Sequence, residues 1–188
     1  MTLKKTRKPS RLAKELVETA KKTPGGLGYA TTSGTVHLLT SELFARRAGI
    51  SLRAVHYKGA AAAAQDVIAG HVPLMWIDLA AALPHLRSGR LKAIAVGSEQ
   101  RLPQLPEVPT VTESGVPDFT AYAWQGLLVR SGTPQALVDK LSTAEQQALR
   151  DPAVRQKLEG LGVEPIPGPP GDMAKVLRAD LAKWPQVI

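Results

Sequence analysis

The sequence predicts an α/β protein centred on a doubly wound lobe, and three observations support that class. Apolar runs of strand length alternate with helical apolar spacing at short intervals, the pattern of a parallel or mixed sheet covered on both faces. Two glycine-containing turns, Thr32-Ser33-Gly34-Thr35 and Lys58-Gly59-Ala60, each stand between such a run and a helical pattern. A length of 188 residues, 44% of them apolar, suffices for one full domain or one and a half smaller lobes with a sizeable core.

Ser10 is suited to cap a first helix, whose apolar positions Leu12, Leu16, Val17 and Ala20 follow 3.6-residue spacing until Pro24-Gly25-Gly26 ends it. A short strand through Leu27 to Thr31 follows. Val36, Leu39, Leu43 and Phe44 mark one face of a second helix that stops at Gly49, and Leu52 to Tyr57 reads as a strand. The same order then recurs: a helix from Ala60 to Ala69 before Gly70, an apolar run from Pro73 to Ile77, a helix from Leu79 to Leu86, and a buried strand from Leu91 to Val96.

From Pro103 to Phe119, the prolines 103, 106, 109 and 117 and the turn Thr112-Glu113-Ser114-Gly115 form a loop-rich passage suited to a change of lobe. Ala121 to Val129 resumes as a strand. Pro134 occupies the first turn of a helix through Leu137, Val138 and Leu141, with Thr133 as its cap. Helices from Pro152 to Glu159 and from Asp172 to Trp184 close the chain, separated by a proline-rich connector at Pro165 to Pro170.

The net charge of +8 favours acidic ligands, nucleic acid or an anionic membrane surface without choosing among them. The absence of cysteine excludes disulfides, thiolate catalysis and cysteine metal sites, and fits cytoplasm and periplasm equally. No stretch approaches the ~18 consecutive apolar residues of a spanning helix. Met1 to Lys8 is basic like the start of a signal peptide, but Lys14, Glu15, Glu18, Lys21 and Lys22 interrupt the apolar segment such a peptide needs. The expectation is therefore no export signal, and a cytoplasmic protein if Met1 is the true start.

A helix N-terminus carries unpaired N–H donors and about half a positive charge, so two such turns facing one cleft would trap a carboxylate or phosphate. Ser33, Gly34 and Thr35 can donate backbone and hydroxyl hydrogen bonds to it, although an ordinary helix cap needs the same residue types. At Lys58-Gly59-Ala60 the backbone of Gly59 and Ala60 is the stronger candidate. Gly59 permits a close approach or a positive φ, and the Lys58 side chain reads as a solvated turn lysine.

Asp78, at a strand end, can accept from a hydroxyl or ammonium group on the same guest, or cap the helix that follows. Trp124 and Gln125 can wall a pocket and bond a ligand, or serve as a core indole with a structural amide. His37, His56, His71 and His85 lack the spacing and acidic companions of a metal site. No catalytic constellation and no cofactor motif stands out: Ser33 has no recognisable base and acid, and no phosphate-binding loop is present. The basic residues Lys4, Lys5, Arg7, Lys8, Arg11 and Lys14 can touch phosphates but have no interleaved aromatics to stack on bases, so a solvated end is the default reading; a basic interaction or nucleic-acid-binding module that exploits the charge of +8 is the alternative.

A wider set of residues runs from about Pro9 to the C-terminus: Tyr29; His37-Leu38 with Glu42-Leu43-Phe44; Tyr57-Lys58-Gly59; and Leu83-Pro84-His85 with Ser88-Gly89. It continues through Leu91 to Val96, Pro106-Glu107-Val108-Pro109-Thr110-Val111, Glu113, Gly115, Trp124-Gln125-Gly126-Leu127 and Gly132-Thr133-Pro134. In this order and spacing the chain resembles the solute-binding receptors of tripartite tricarboxylate transporters, also called Bug proteins, which are two-lobed periplasmic binding proteins of the type II class.

The resemblance implies a non-enzymatic receptor that holds a small carboxylate between lobes and hands it to a membrane permease, in the periplasm. It implies a second-lobe-like domain over residues 9–120 and the returning part of the first lobe over 121–188, with no counterpart of the first lobe's N-terminal portion: a truncated receptor. Ligand contacts then fall on Thr32, Ser33, Gly34, Thr35, Lys58, Gly59, Ala60, Asp78 and Trp124. A homodimer is one way to cover the surface that the missing portion would leave. His56 stands where relatives carry proline, Pro73 where they carry an acid, and the passage from Tyr29 to His37 is short.

Overall fold

The computed structural model describes residues 9–187, excepting the side chains of Ser10 and Arg11. The basic stretch Met1–Lys8 and a capping role for the Ser10 side chain lie outside the described residues. The chain divides into two units, one ending at Ala123 and the other beginning at Trp124.

The first unit opens with α1 (Pro9–Lys21), which starts one residue ahead of Ser10 and buries Leu12 and Ala20. β1 (Leu27–Thr32), α2 (Val36–Ala48), β2 (Leu52–Tyr57) and α3 (Ala60–Ala69) follow the strand–turn–helix pattern within a residue. Gly49 and Gly70 end the two helices in the left-handed region, at φ 61° and 82°, and their N–H groups return to the last turn. β1 and β2 pair in parallel, with Leu27 opposite Leu52 and Thr32 opposite Tyr57.

A third position lies on the other side of β1. Met75 bridges Ala30 in parallel, and the Ala30 N–H donates to the Leu74 carbonyl at 2.9 Å. β1 is thus central, and Tyr29 and Ala30 are fully buried. Ala30, Ala63 and Val72 form a core flanked by Val55, Tyr57, Val67 and Met75. α4 (Leu79–Arg87) follows Asp78.

The α/β class holds, with a sheet narrower than expected. Pro73 to Ile77 contributes one bridge rather than a strand, and Leu91 to Val96 forms no strand either. Val96 makes an isolated bridge to its neighbour, donating to the Pro109 carbonyl and accepting from the Val111 N–H. The facing segment carries Pro106 and Pro109, which have no N–H to extend a ladder.

The segment from Gly97 to Ala121 straps back across this unit. Phe119 is buried, stacks on Trp76 with centroids 5.8 Å apart, and meets Phe44 edge-on at 6.1 Å. Thr110 and Glu113 form a reciprocal box: the Thr110 N–H donates to Glu113 Oε2 at 2.8 Å, and the Glu113 N–H donates to Thr110 Oγ1 at 3.0 Å.

Arg101 Nε donates to the same carboxylate at 2.8 Å, and this pairing, followed by the Thr110 N–H, holds the Glu113 carboxyl below its usual value. A carboxyl more acidic in the folded than in the unfolded chain contributes stability that is complete above the unfolded value and lost as pH falls through the folded one. Glu113→Gln should therefore lower the melting temperature most at neutral pH, with the difference from the parent narrowing below pH ~4. Thermal melts across pH check this, and a pH-independent difference would count against it.

The second unit holds α5 (Gln135–Arg150), α6 (Pro152–Gly160), α7 (Pro170–Lys183) and a 3₁₀ turn at Trp184–Gln186. Asp151 caps α6, accepting from the N–H groups of Ala153 and Val154 at 2.9 and 3.0 Å. Pro134 itself is the N-cap residue of α5, one residue later in the chain than the cap expected at Thr133. Thr133 does not cap that helix; its hydroxyl closes the preceding turn by donating to the Arg130 carbonyl at 2.8 Å. α7 begins at Pro170 rather than Asp172, since proline's fixed φ suits the first helical position. Ala121 to Val129 is not a strand. No residue from Trp124 to Arg130 joins a ladder among the described residues, because no other strand lies beside it.

Candidate functional site

The register of β1 and β2 sets their last residues, Thr32 and Tyr57, side by side. At this C-terminal edge of the sheet each chain turns into a helix, and the run ending at Ile77 does the same. In open α/β sheets ligands collect at this edge, where helix N-termini open onto it.

Each start is shaped by its own residues. Gly34 has φ 72°, a left-handed turn position that favours glycine, and Thr35 Oγ1 donates to the Thr32 carbonyl at 2.7 Å, closing the turn before α2. The Thr35 hydroxyl is thereby used on the strand end and does not cap α2. Gly59 precedes α3 in extended backbone at φ −177°, a conformation open to any residue, and a Cβ there would meet nothing within 4 Å. The positive φ expected as one reason for this glycine is therefore absent. Ala60 is the first residue of α3, and Lys58 is exposed. Asp78 occupies the N-cap position of α4, yet its carboxylate makes no cap bond.

Three successive helices thus begin at one sheet edge without a side-chain cap, in contrast with α6. Two side-chain pairs tie the edge together. Ser33 Oγ lies 2.9 Å from His56 Nδ1, linking the first turn to β2. His37 Nε2 lies 3.2 Å from Asp78 Oδ1, linking the first turn of α2 to the start of α4. Behind them, Tyr57 Oη donates to Asp66 Oδ2 at 2.7 Å, and this bond, with a lesser one from His71, holds the Asp66 carboxyl below its usual value. The bond fastens α3 to the end of β2.

The structure therefore joins Thr32 and Thr35 directly, ties Ser33 to β2 through His56 and Asp78 to α2 through His37, and sets Lys58, Gly59 and Ala60 at the neighbouring strand end. The sequence gives no sign that His37 and His56 lie at this edge. Their partners lie 41 and 23 positions away, and no local spacing announces such pairs. Trp124 belongs to the second unit, where its indole N–H donates to Asp180 Oδ2 at 2.7 Å. Among the described residues no group of three His, Asp or Glu side chains could hold a metal, and no helix is long and apolar enough to cross a membrane. Chemically, the edge offers uncapped amide donors, two imidazoles, a hydroxyl and one carboxylate that can accept.

A family model described as "Tripartite tricarboxylate transporter family receptor" matches residues 2–188. Among curated proteins, the "UPF0065 protein in tcbD-tcbE intergenic region" of Pseudomonas sp. strain P51 is 34% identical, with 93% of this chain and 52% of that protein covered. A shorter relative, the "UPF0065 protein in clcB-clcD intergenic region" of Pseudomonas knackmussii, is 34% identical, with 82% of this chain and 92% of that protein covered.

Among solved structures, R. palustris Rpa4515 with adipate aligns with a TM-score of 0.82 at 33% identity, covering 93% of this chain and 58% of that one. MatC from Rhodopseudomonas palustris with bound malate aligns at 0.74 and 30% identity, covering 95% and 60%. The chain spans about half the length of most of the curated relatives it matches.

Proposed function

Because this chain belongs to the tripartite tricarboxylate transporter receptor family, whose members are periplasmic binding proteins, we propose that the C-terminal edge of its β1–β2 sheet captures the carboxylate of a small organic acid without catalysing any reaction on it. The observation that carries this reading is the run of three helix starts, at Thr35, Gly59 and Asp78, none of them capped by a side chain. Their amides supply donors for a carboxylate, each such bond to a charged acceptor contributing about 1.5–3 kcal/mol when shielded from water. Asp78 and the imidazoles of His37 and His56 recognise hydroxyl or second acidic groups on the same guest. The bound adipate and malate of two structural relatives support this ligand class. In this reading the protein works in the periplasm and delivers its acid to a membrane permease.

Gly59→Asp separates ligand capture from folding. The extended backbone and open space at Gly59 accept a side chain, and an aspartate there would cap α3 and occupy its amides. The expected result is an unchanged or slightly raised melting temperature with adipate or malate affinity reduced at least about tenfold. Calorimetric titration of the parent and the variant decides it. Equal binding by both, or none by the parent up to millimolar acid, sinks the proposal.

A further inference from the structure

The two imidazoles at the sheet edge differ in what they already hold. His37 Nε2 lies 3.2 Å from Asp78 Oδ1, so a carboxylate accompanies it before any acid arrives. His56 Nδ1 lies 2.9 Å from Ser33 Oγ, a neutral partner. Strand residues alternate between faces, and the register sets His56 opposite Thr31, on the face where Tyr29 Oη donates to Glu42 of α2. On this face β1 contributes uncharged Thr31, the turn and α2 contribute Ser33, His37 and the Glu42 engaged by Tyr29, and α4 contributes the Asp78 held by His37. Arg53 and Asp66 belong to the other face, with Tyr57 and α3, and Lys58 is exposed past the strand end.

A hydroxyl–imidazole pair has two states. With a neutral ring, the Ser33 hydroxyl can donate to Nδ1 and is then spent within the protein. Once a proton from solvent occupies Nδ1 the bond reverses: Nδ1–H donates to Ser33 Oγ, the Ser33 hydrogen is free for a guest, and Nε2–H is a second donor on a cationic ring. An anion beside the ring favours that state, and by linkage the proton favours the anion. We propose that His56 is a specificity-determining residue that takes up a proton as it receives the second carboxylate of a diacid, the first being held by the helix-start amides. His37 contributes less to this coupling, because its counter-charge is present with and without the guest. This inference rests on the carboxylate reading of the same edge and deepens it.

With the diacid bound, the ring holds its proton to higher pH, so affinity rises as pH falls from about 8 to about 6, a range in which carboxyl groups stay ionised. The test titrates the full 188-residue chain with adipate in two buffers of different ionisation enthalpy, which reads the protons taken up. Hexanoate, a monoacid of equal chain length, is the comparison. The expected result is uptake of about half a proton at neutral pH and adipate affinity about tenfold tighter near pH 6 than near pH 8, with little change for hexanoate. His56→Gln should remove the uptake and flatten the pH profile, while His37→Gln, whatever its affinity, retains the uptake. Thermal melts establish that the variants fold, and His56→Asn takes the place of His56→Gln if that one does not.

Adipate binding without proton uptake, uptake equal for hexanoate, or uptake that survives His56→Gln or depends on His37 overturns this proposal and leaves the carboxylate reading standing. No heat from either acid in the parent chain overturns both, so the two failures are distinguishable.

Discussion

Truncation of Phe119 to alanine should destabilise the first unit by roughly 3–5 kcal/mol, lowering its melting temperature by on the order of 10 °C. The ring is 1% exposed and is shared by elements far apart in the chain: it stacks on Trp76, which follows the bridge to β1, and meets Phe44 of α2 edge-on. Phe44 and Trp76 also touch, at 6.2 Å, so removing Phe119 opens a void at the junction of three segments rather than at a yielding surface. Aromatic pairing adds about 0.5–1.5 kcal/mol beyond burial. Phe119→Leu should recover much of the loss by refilling the volume. A melting temperature within 2 °C of the parent for Phe119→Ala would mean that the strap contributes little to holding this unit.

Gly97→Ala should be comparably severe although it adds one methyl group. A Cβ at Gly97 would run into the backbone carbonyl oxygen of Ala121, and the two residues are already joined by the Ala121 N–H donating to the Gly97 carbonyl at 2.8 Å. Backbone cannot swing aside as a side chain can, so the strap must shift as a body, at a cost of about 1–3 kcal/mol or more. Gly126→Ala is the control: its Cβ would meet the methyl end of Met173, which can change rotamer, and the effect should be small. Because Gly97 and Phe119 fix the same strap, their double substitution should cost less than the sum of the singles. Additive losses measured by denaturant titration would show that the two positions act separately.

Elements that local pattern and punctuation determine were legible in the sequence. β2 and α3 run between the residues expected, because a short run with Leu52, Ala54, Val55 and Tyr57, a glycine turn and an alanine-rich helix ended by Gly70 leave little latitude. The runs at Leu91–Val96 and Ala121–Val129 also read as strands and form none. Propensity reports fitness for a pleated, buried surface, whereas a strand exists only when another strand lies beside it. The candidate site divides the same way. Helix starts at Thr35, Gly59 and Asp78 were readable because caps and turns are local, but the Ser33–His56 and His37–Asp78 pairs depend on which strands become neighbours.

The junction of Phe44, Trp76 and Phe119 also orders events during synthesis. α2 leaves the ribosome before the strap, and its aromatic anchor meets its last neighbour only after the strap has been made. At about 5–20 residues per second, the nascent polypeptide spends several seconds with Phe44 lacking Phe119. Rare codons placed between these two phenylalanines would lengthen that window, and with it the opportunity for chaperones to engage.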